Sequence, residues 1–194
     1  MRKALQALQT GLDRTSSLLQ SLLSWAAERD GHAPRQTQPM DLRSLTETAL
    51  EQAETASQLK QVRLCNEVEP GMSLAGDPRM LLSAMRNLIF NAIRHTPAEG
   101  RVRVTGWRKA DGAIELQVED EGRGFESRAV FGAPVAALHR FGLGLQLASD
   151  LVTRLHGRLQ IHPDIGRGLV SLHFDAGRDA ALSYLGAPTS TRLN

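Results

Sequence analysis

The chain has 194 residues, 41% of them hydrophobic, and a net charge of +2 with neutral histidines, which suits one sizeable domain with an appendage. It holds one cysteine, Cys65, so a disulfide framework and a zinc site built of cysteines are excluded within it. No stripe of Lys and Arg alternates with aromatic residues, and no run approaches the roughly 18 apolar residues of a membrane helix. We therefore expect a cytoplasmic chain that contacts neither nucleic acid nor membrane, any anchor of the parent protein lying elsewhere.

The first predicted element is a long amphipathic helix over residues 3–28. Its seam alternates spacings of three and four over about three heptads. The seam residues are Leu5, Leu8, Leu12, Thr15, Leu19, Leu22 and Ala26. Such a seam can pack on the chain's own domain or on a second chain, and the second is favoured because no other long helix is predicted to cover it. We expect self-association through the segment 1–30, followed by a linker over residues 31–40 that is rich in polar residues and prolines.

Helices and hairpins alternate in the next predicted segment, residues 41–176. Asp41 can cap a helix of about 18 residues, and Asp77 with Pro78 starts another, because aspartate caps helices and proline suits their first position. The remaining elements are strands over residues 62–68, 101–108, 113–119, 158–162 and 169–174 and a helix over residues 143–155. This order predicts an α+β fold, a two-layer sandwich with a largely antiparallel mixed sheet. Residues 177–194 show little periodicity, and we expect partial disorder there.

Two asparagines share one face of the predicted helix that starts after Asp77. Asn87 and Asn91 lie four residues apart beside an apolar stripe, and Arg94 and His95 follow within the next turn. Amide oxygens next to a cation and an imidazole can hold a hydrated magnesium ion and the phosphates around it. Two exposed asparagines on an ordinary surface helix explain the same pattern, so this motif alone leaves both alternatives open.

An Asp-x-Gly-x-Gly motif directly follows a predicted strand. A carboxylate at the end of a strand, here Asp120, can accept a hydrogen bond from the exocyclic amine of adenine. Gly122 and Gly124 let the backbone turn sharply and let a flat base approach. A glycine turn within a hairpin is the plain alternative, and the motif alone does not decide between them.

A second glycine motif opens the last predicted helix. Its residues are Gly142, Leu143, Gly144 and Leu145. Paired glycines at a helix N-terminus expose backbone N–H groups that can bind an anion such as a phosphate. A flexible loop that leads into a helix gives the same pattern, so this motif also needs support from the others.

Taken in this order, the three motifs resemble the GHKL ATPase superfamily and its Bergerat nucleotide-binding fold over about residues 41–175. The resemblance implies ATP and Mg²⁺ as ligands, with Asp120 reading the adenine and Asn91 binding the metal, supported by Asn87. It also implies that both glycine motifs surround the nucleotide. Arg94 and His95 match family positions that approach the phosphates or line the pocket. Gly166-Arg-Gly168 resembles the last glycine motif of the superfamily.

The flanking segments resemble sensor histidine kinases more than other members of the superfamily. Residues 18–26 resemble the second helix of a kinase dimerisation domain, and residues 76–81 and 95–97 resemble the flanks of the kinase asparagine motif. The resemblance implies transfer of the ATP γ-phosphoryl to a histidine and from there to a response regulator. None of the six histidines is followed by an acidic residue, as the family's phosphoacceptor is. We therefore expect a truncated kinase that lacks the acceptor and does not autophosphorylate alone.

Three positions depart from the family pattern. Arg123 stands in place of a proline, Arg140 in place of a leading glycine and Leu169 in place of a threonine. These changes keep open the alternative of a degenerate domain that acts as a non-catalytic dimerising or regulatory scaffold. A serine kinase of the anti-sigma type shares the fold as well, but such kinases usually lack a long leading helix.

Overall fold

The computed structural model describes residues 37–125, 143–162 and 166–176. The predicted long helix, the predicted tail and the loop that contains Gly142 lie outside these residues. The assignments of residues 1–30 to a dimerisation helix and of residues 177–194 to a tail therefore stay predictions.

Seven strands and three helices follow one another in the described part of the chain. They are β1 Gln38–Asp41, α1 Leu42–Lys60, β2 Arg63–Val68, β3 Ser73–Gly76, α2 Pro78–His95, β4 Arg101–Arg108, β5 Ile114–Asp120, α3 Leu143–Arg154, β6 Gly157–His162 and β7 Gly168–Phe174. The predicted succession of helices and hairpins is confirmed. β1 and β3 were not predicted; they pair with each other, and β1 takes up the end of the predicted linker. Each has only four residues, too few to show an alternating pattern.

Five strands form one mixed sheet in the order β2-β4-β5-β7-β6. β2 runs parallel to β4, and the other three pairings are antiparallel. The hairpin between β4 and β5 turns at Asp111 and Gly112, where the glycine has a φ of +85° that favours a residue without a side chain. The register pairs Asp120, the last residue of β5, with Gly168, the first residue of β7. The first residue of the Asp-x-Gly-x-Gly motif therefore lies beside the last residue of the Gly-Arg-Gly motif, at one end of these two neighbouring strands.

Both predicted aspartate caps are confirmed. The Asp41 carboxylate accepts the Ser44 N–H at 2.6 Å at the start of α1, and the Asp77 carboxylate accepts the Arg79 N–H at 3.0 Å at the start of α2. These bonds satisfy N–H groups that have no partner inside the helix. Pro78 occupies the first turn of α2, so the start of the helix that carries the asparagines is fixed locally.

The helices and the inner face of the sheet enclose one core. Inner residues of the central strands include Val104, Leu116, Val118, Val170 and Leu172, and α2 buries Leu81, Met85, Leu88 and Ala92. The architecture is the predicted α+β sandwich, in which α2 turns one face to the core and leaves the adjoining face for the asparagines. None of the helices in the described ranges is long and apolar enough to cross a membrane.

Candidate functional site

A buried carboxylate lies at the end of β5. Asp120 is 7% exposed, and its Oδ1 accepts the Gly122 N–H at 2.9 Å. Burial raises the pKa of Asp120, and this rise is opposed by the N–H of Gly122, by the charge of a protonated His95 and by the N–H of Gly168. A carboxylate has about four acceptor sites, so two backbone donors leave capacity for a donor from a ligand.

The glycines around Asp120 make room for its carboxylate. A Cβ at Gly122 would lie 2.5 Å from Asp120 Oδ1 and 2.8 Å from the His95 backbone oxygen. A Cβ at Gly168 would collide with Asp120 Oδ2. Gly124 has a φ of +73°, which a side chain disfavours. We predicted that Gly122 and Gly124 allow the chain to turn and a base to approach. The structure shows that Gly122, together with Gly168 of the last glycine motif, is required first by the carboxylate of Asp120 itself.

The two asparagines of α2 are half-buried and hold their amide groups differently. Asn87 Nδ2 donates to the Ser83 oxygen at 2.8 Å, one turn earlier in the helix. Asn87 Oδ1 lies close to α3, since a Cβ at Gly144 would be 3.6 Å from it. Asn91 Oδ1 accepts the Arg94 guanidinium at 2.7 Å. The structure thus brings the asparagine motif and the second glycine motif together, with both amide oxygens outside the core.

Basic groups surround the C-terminal end of α2. Arg94 and His95 occupy its last turn and are exposed. Desolvation of the imidazole lowers the pKa of His95, and the positive charges of Arg94 and Lys60 lower it further against the opposing pull of Asp120. The lowered pKa favours the neutral imidazole of His95, so the positive charge at this end comes mainly from Arg94 and Lys60. Such a charge distribution suits an anionic ligand.

The second glycine motif is described from its second residue onward. Leu143 begins α3 and is 41% exposed, Gly144 is half-buried, and Leu145 is 1% exposed in the core. Leu145 can reach a ligand only through its backbone. Gly142 lies outside the described residues, so its role stays a prediction.

Lys60 is a residue of this site that the sequence analysis missed. Its Nζ donates to the Ile93 oxygen at 2.8 Å and to the Arg94 oxygen at 2.6 Å, so the last residue of α1 is bonded to the last turn of α2. No local pattern signals a contact across 33 residues, because it depends on how the two helices pack. The pairing of Gly168 with Asp120 was missed for the same reason.

The donor set of α2 suits magnesium better than a metal with many protein ligands. Among the described residues there is no group of three or more His, Cys, Asp or Glu side chains that could hold a metal ion. Magnesium usually keeps several waters and takes one or two protein oxygens together with phosphates. The Asn91 amide oxygen, with Asn87 beside it, meets that requirement.

Comparisons with known proteins agree with the fold and the motifs. Residues 76–177 match the family described as histidine kinase-, DNA gyrase B- and HSP90-like ATPases. The phosphate regulon sensor protein PhoR of Pseudomonas aeruginosa is 29% identical over 176 residues, 86% of this chain and 40% of PhoR. The sensor protein DivL of Caulobacter vibrioides is 30% identical over 174 residues, 85% of this chain and 22% of DivL.

A solved structure gives the same result for the fold. The histidine kinase AdeS of Acinetobacter baumannii superposes with a TM-score of 0.65 at 19% identity, covering 89% of this chain and 84% of the AdeS chain. The chain spans less than half the length of the curated relatives PhoR and DivL. It belongs to the family of histidine kinase-, DNA gyrase B- and HSP90-like ATPases, as an ATP-binding catalytic domain of the sensor histidine kinase type.

Proposed function

We propose that the chain is the ATP-binding catalytic module of a two-component sensor kinase. It transfers the ATP γ-phosphoryl to a histidine outside this chain, and a response regulator receives the phosphoryl from that histidine. The observation that carries this proposal is the buried Asp120 carboxylate, held by Gly122 and Gly168 next to the polar end of α2. A carboxylate in that setting is an acceptor for the exocyclic amine of adenine.

The residues of this chain bind and orient ATP rather than exchange protons with it. Transfer of a phosphoryl group depends mostly on positioning and on neutralising charge. Asp120 fixes the base, the positive charge of Arg94 and the N-terminus of α3 face the phosphates, and Asn91 supplies an oxygen to Mg²⁺ with Asn87 beside it. A bound Mg²⁺ would supply positive charge that neutralises the phosphates, and Asn91 would be the residue that holds it.

The intact base-binding groups favour the kinase module over the scaffold alternative. Asp120, Gly122 and Gly168 keep a geometry that tolerates no side chain at either glycine. A scaffold without a ligand would not need a buried carboxylate with unused acceptor capacity, because burying such a group costs stability. Arg123, one of the departures from the family pattern, is exposed and does not fill this space.

Nucleotide titration of the full chain tests the proposal. We expect ATP to bind more tightly than GTP, because the guanine edge presents a carbonyl oxygen to Asp120 where adenine presents an amine. We also expect Mg²⁺ to tighten the binding of ATP and to leave the binding of adenosine unchanged. Equal affinities for ATP and GTP would contradict the reading of adenine by Asp120. Absence of any nucleotide binding would favour the scaffold alternative.

The acceptor histidine and the oligomeric state need separate experiments. Incubation with labelled ATP should give no acid-labile label on this chain, because transfer requires an acceptor in line with the γ-phosphorus and no histidine here has the family's context. We also propose that the seam over residues 3–28 drives self-association. Leu12→Glu should shift the mass in solution towards the monomer, whereas a monomeric unmodified chain would refute the association.

A further inference from the structure

The C-terminal end of α2 lacks the left-handed glycine that closes many helices. Its capping residue Thr96 is extended, with a φ of −68° and a ψ of 134°. The last carbonyl groups of a helix have no partner inside the helix and require donors from elsewhere. For the carbonyls of Ile93 and Arg94 that donor is Lys60 on α1. The packing of α1 against α2 therefore completes the cap of α2.

Lys60 is well placed to hold this turn. Its Nζ lies 2.8 Å from the Ile93 oxygen and 2.6 Å from the Arg94 oxygen, and an ammonium at the negative end of a helix dipole is electrostatically favourable. The residue after Lys60 also contacts the loop beyond α2, since the Glu99 N–H donates to the Gln61 oxygen at 2.9 Å. Desolvation and the charge of Arg94 lower the pKa of Lys60, while the Asp120 carboxylate acts in the opposite direction.

The turn that Lys60 holds lies against the loop that orients Asp120. A Cβ at Gly122 would be 2.8 Å from the His95 oxygen, so the two backbones are in contact. The Gly122 N–H in turn donates to Asp120 Oδ1 at 2.9 Å. A continuous path of contacts thus runs from Lys60 through the last turn of α2 and Gly122 to the buried carboxylate.

We propose that Lys60 is a positioning residue for adenine recognition, which holds the last turn of α2 against Gly122 and thereby fixes the orientation of Asp120. This inference rests on the proposed function where it concerns nucleotides. Lys60 acts through backbone carbonyls, so its effect falls on the base end of the ligand. A lysine that contacted phosphates would instead discriminate between ATP and adenosine.

Two substitutions at Lys60 and one control test this role in the full chain. Lys60→Met keeps the length of the side chain and removes the donor, whereas Lys60→Arg keeps a donor and the charge. Lys109→Met is the control, because Lys109 pairs with the buried Glu115 near the opposite end of β5 and its loss removes the same charge. The measurements are the affinities for adenosine and ATP and the hydrogen exchange of the Gly122 amide in the ligand-free chain.

We expect Lys60→Met to lower the affinities for adenosine and for ATP by the same factor, about tenfold, as the loss of a charge-assisted hydrogen bond would. The Gly122 amide should exchange faster in this variant, Lys60→Arg should restore both properties to within about threefold, and Lys109→Met should leave both unchanged. A larger loss for ATP than for adenosine would show direct phosphate contact and overturn the proposal. Equal losses in Lys60→Met and Lys109→Met would overturn it too, as a general effect of stability.

The amide measurement separates this inference from the proposed function. If the unmodified chain binds neither ligand, the proposed function fails, and the exchange rate of Gly122 still tests whether Lys60 positions the loop. If the chain binds ATP but Lys60→Met changes neither affinity nor the exchange of Gly122, the proposed function stands and the role of Lys60 is refuted.

Discussion

The two ends of the candidate nucleotide site are built in different ways. At the base end, Asp120 is 7% exposed and its neighbours Gly122 and Gly168 have no space for even one added carbon. At the phosphate end, Asn91 and Arg94 share one exposed hydrogen bond within a single helix. The first end is fixed by packing before any ligand arrives, whereas the second consists of groups that can exchange partners. Substitutions should therefore be costly at the base end and mild at the phosphate end.

The largest effect is expected for Gly168→Ala. The new Cβ would collide with the buried Asp120 carboxylate, which cannot move without losing the Gly122 N–H. We expect the free energy of unfolding to fall by about 1–3 kcal/mol, as for other overpacked sites, and nucleotide binding to be lost. Chemical denaturation and titration with ATP measure the two effects.

Gly144→Ala is the matched control at the phosphate end. Its Cβ would lie 3.6 Å from Asn87 Oδ1, an ordinary contact. Alanine is also the better residue for a helix, so the free energy of unfolding should stay unchanged or rise by up to about 1 kcal/mol. Equal losses of unfolding free energy in Gly168→Ala and Gly144→Ala would contradict the claim that the two ends are built differently.

Asp120→Asn should lower the affinity of the chain for adenine nucleotides by about 10- to 100-fold. This factor is the equivalent of ~1.5–3 kcal/mol for a hydrogen bond to a charged group. The amide keeps the shape of the carboxylate but can present an N–H to the adenine amine. Glu119→Gln is the control, since Glu119 lies on the other face of β5, where it pairs with Arg103 and Arg167. Titration with ATP should show a loss only for the first variant, and the same loss in both would argue against base reading by Asp120.

The pH dependence of binding should also report on the base end. Burial raises the pKa of Asp120 above 3.8, so its carboxyl group keeps a proton to higher pH than an ordinary aspartate. Because the proposed contact with the adenine amine requires the ionised carboxylate, affinity should be constant near neutral pH and fall as the pH drops through the raised pKa. In the ligand-free chain the native state binds this proton more tightly than the unfolded state, so ionisation of Asp120 lowers stability as the pH rises through the same window. Asp120→Asn should remove both dependences, and their persistence in that variant would assign them to another group.

The sequence predicted those structural features that depend on a few adjacent residues. The caps at Asp41 and Asp77 and the turn at Gly112 each depend on a few adjacent residues, so their patterns could be recognised. The pairing of Gly168 with Asp120 and the contact of Lys60 with α2 depend on sheet register and helix packing. Neither has a signature in one sequence. The motif therefore identified Asp120 and Gly122 as candidate site residues, while the reason for their rigidity appears only in the fold.

At the phosphate end, Asn91→Ala should reduce the tightening of ATP binding by Mg²⁺ by about fivefold, the equivalent of ~1 kcal/mol for one ligand among several waters and phosphates. Adenosine binding should not change, because Asn91 lies outside the base end. The stability of the chain should also be kept, since the Asn91 side chain is half-buried and its one hydrogen bond to a described residue is exposed. Titration of ATP at several Mg²⁺ concentrations checks this, and unchanged magnesium dependence would refute the role of Asn91.

The smallest effect is expected for Arg94→Met, because two consequences oppose each other. Asn91 Oδ1 accepts the Arg94 guanidinium at 2.7 Å, so a metal that binds this oxygen competes with the arginine and is repelled by its charge. Removing Arg94 frees the oxygen and should lower the Mg²⁺ concentration needed for half of the tightening. The substitution also removes a positive charge near the proposed phosphate site, which should lower the affinity for ATP in the absence of Mg²⁺. An exposed charged contact contributes up to about 1 kcal/mol, so each change should stay within about fivefold and the affinity at saturating Mg²⁺ should hardly move. Titrations with ATP in the presence and absence of Mg²⁺ separate the change in magnesium requirement from the change in metal-free affinity. A higher magnesium requirement in Arg94→Met would show that the arginine assists the metal instead of competing with it.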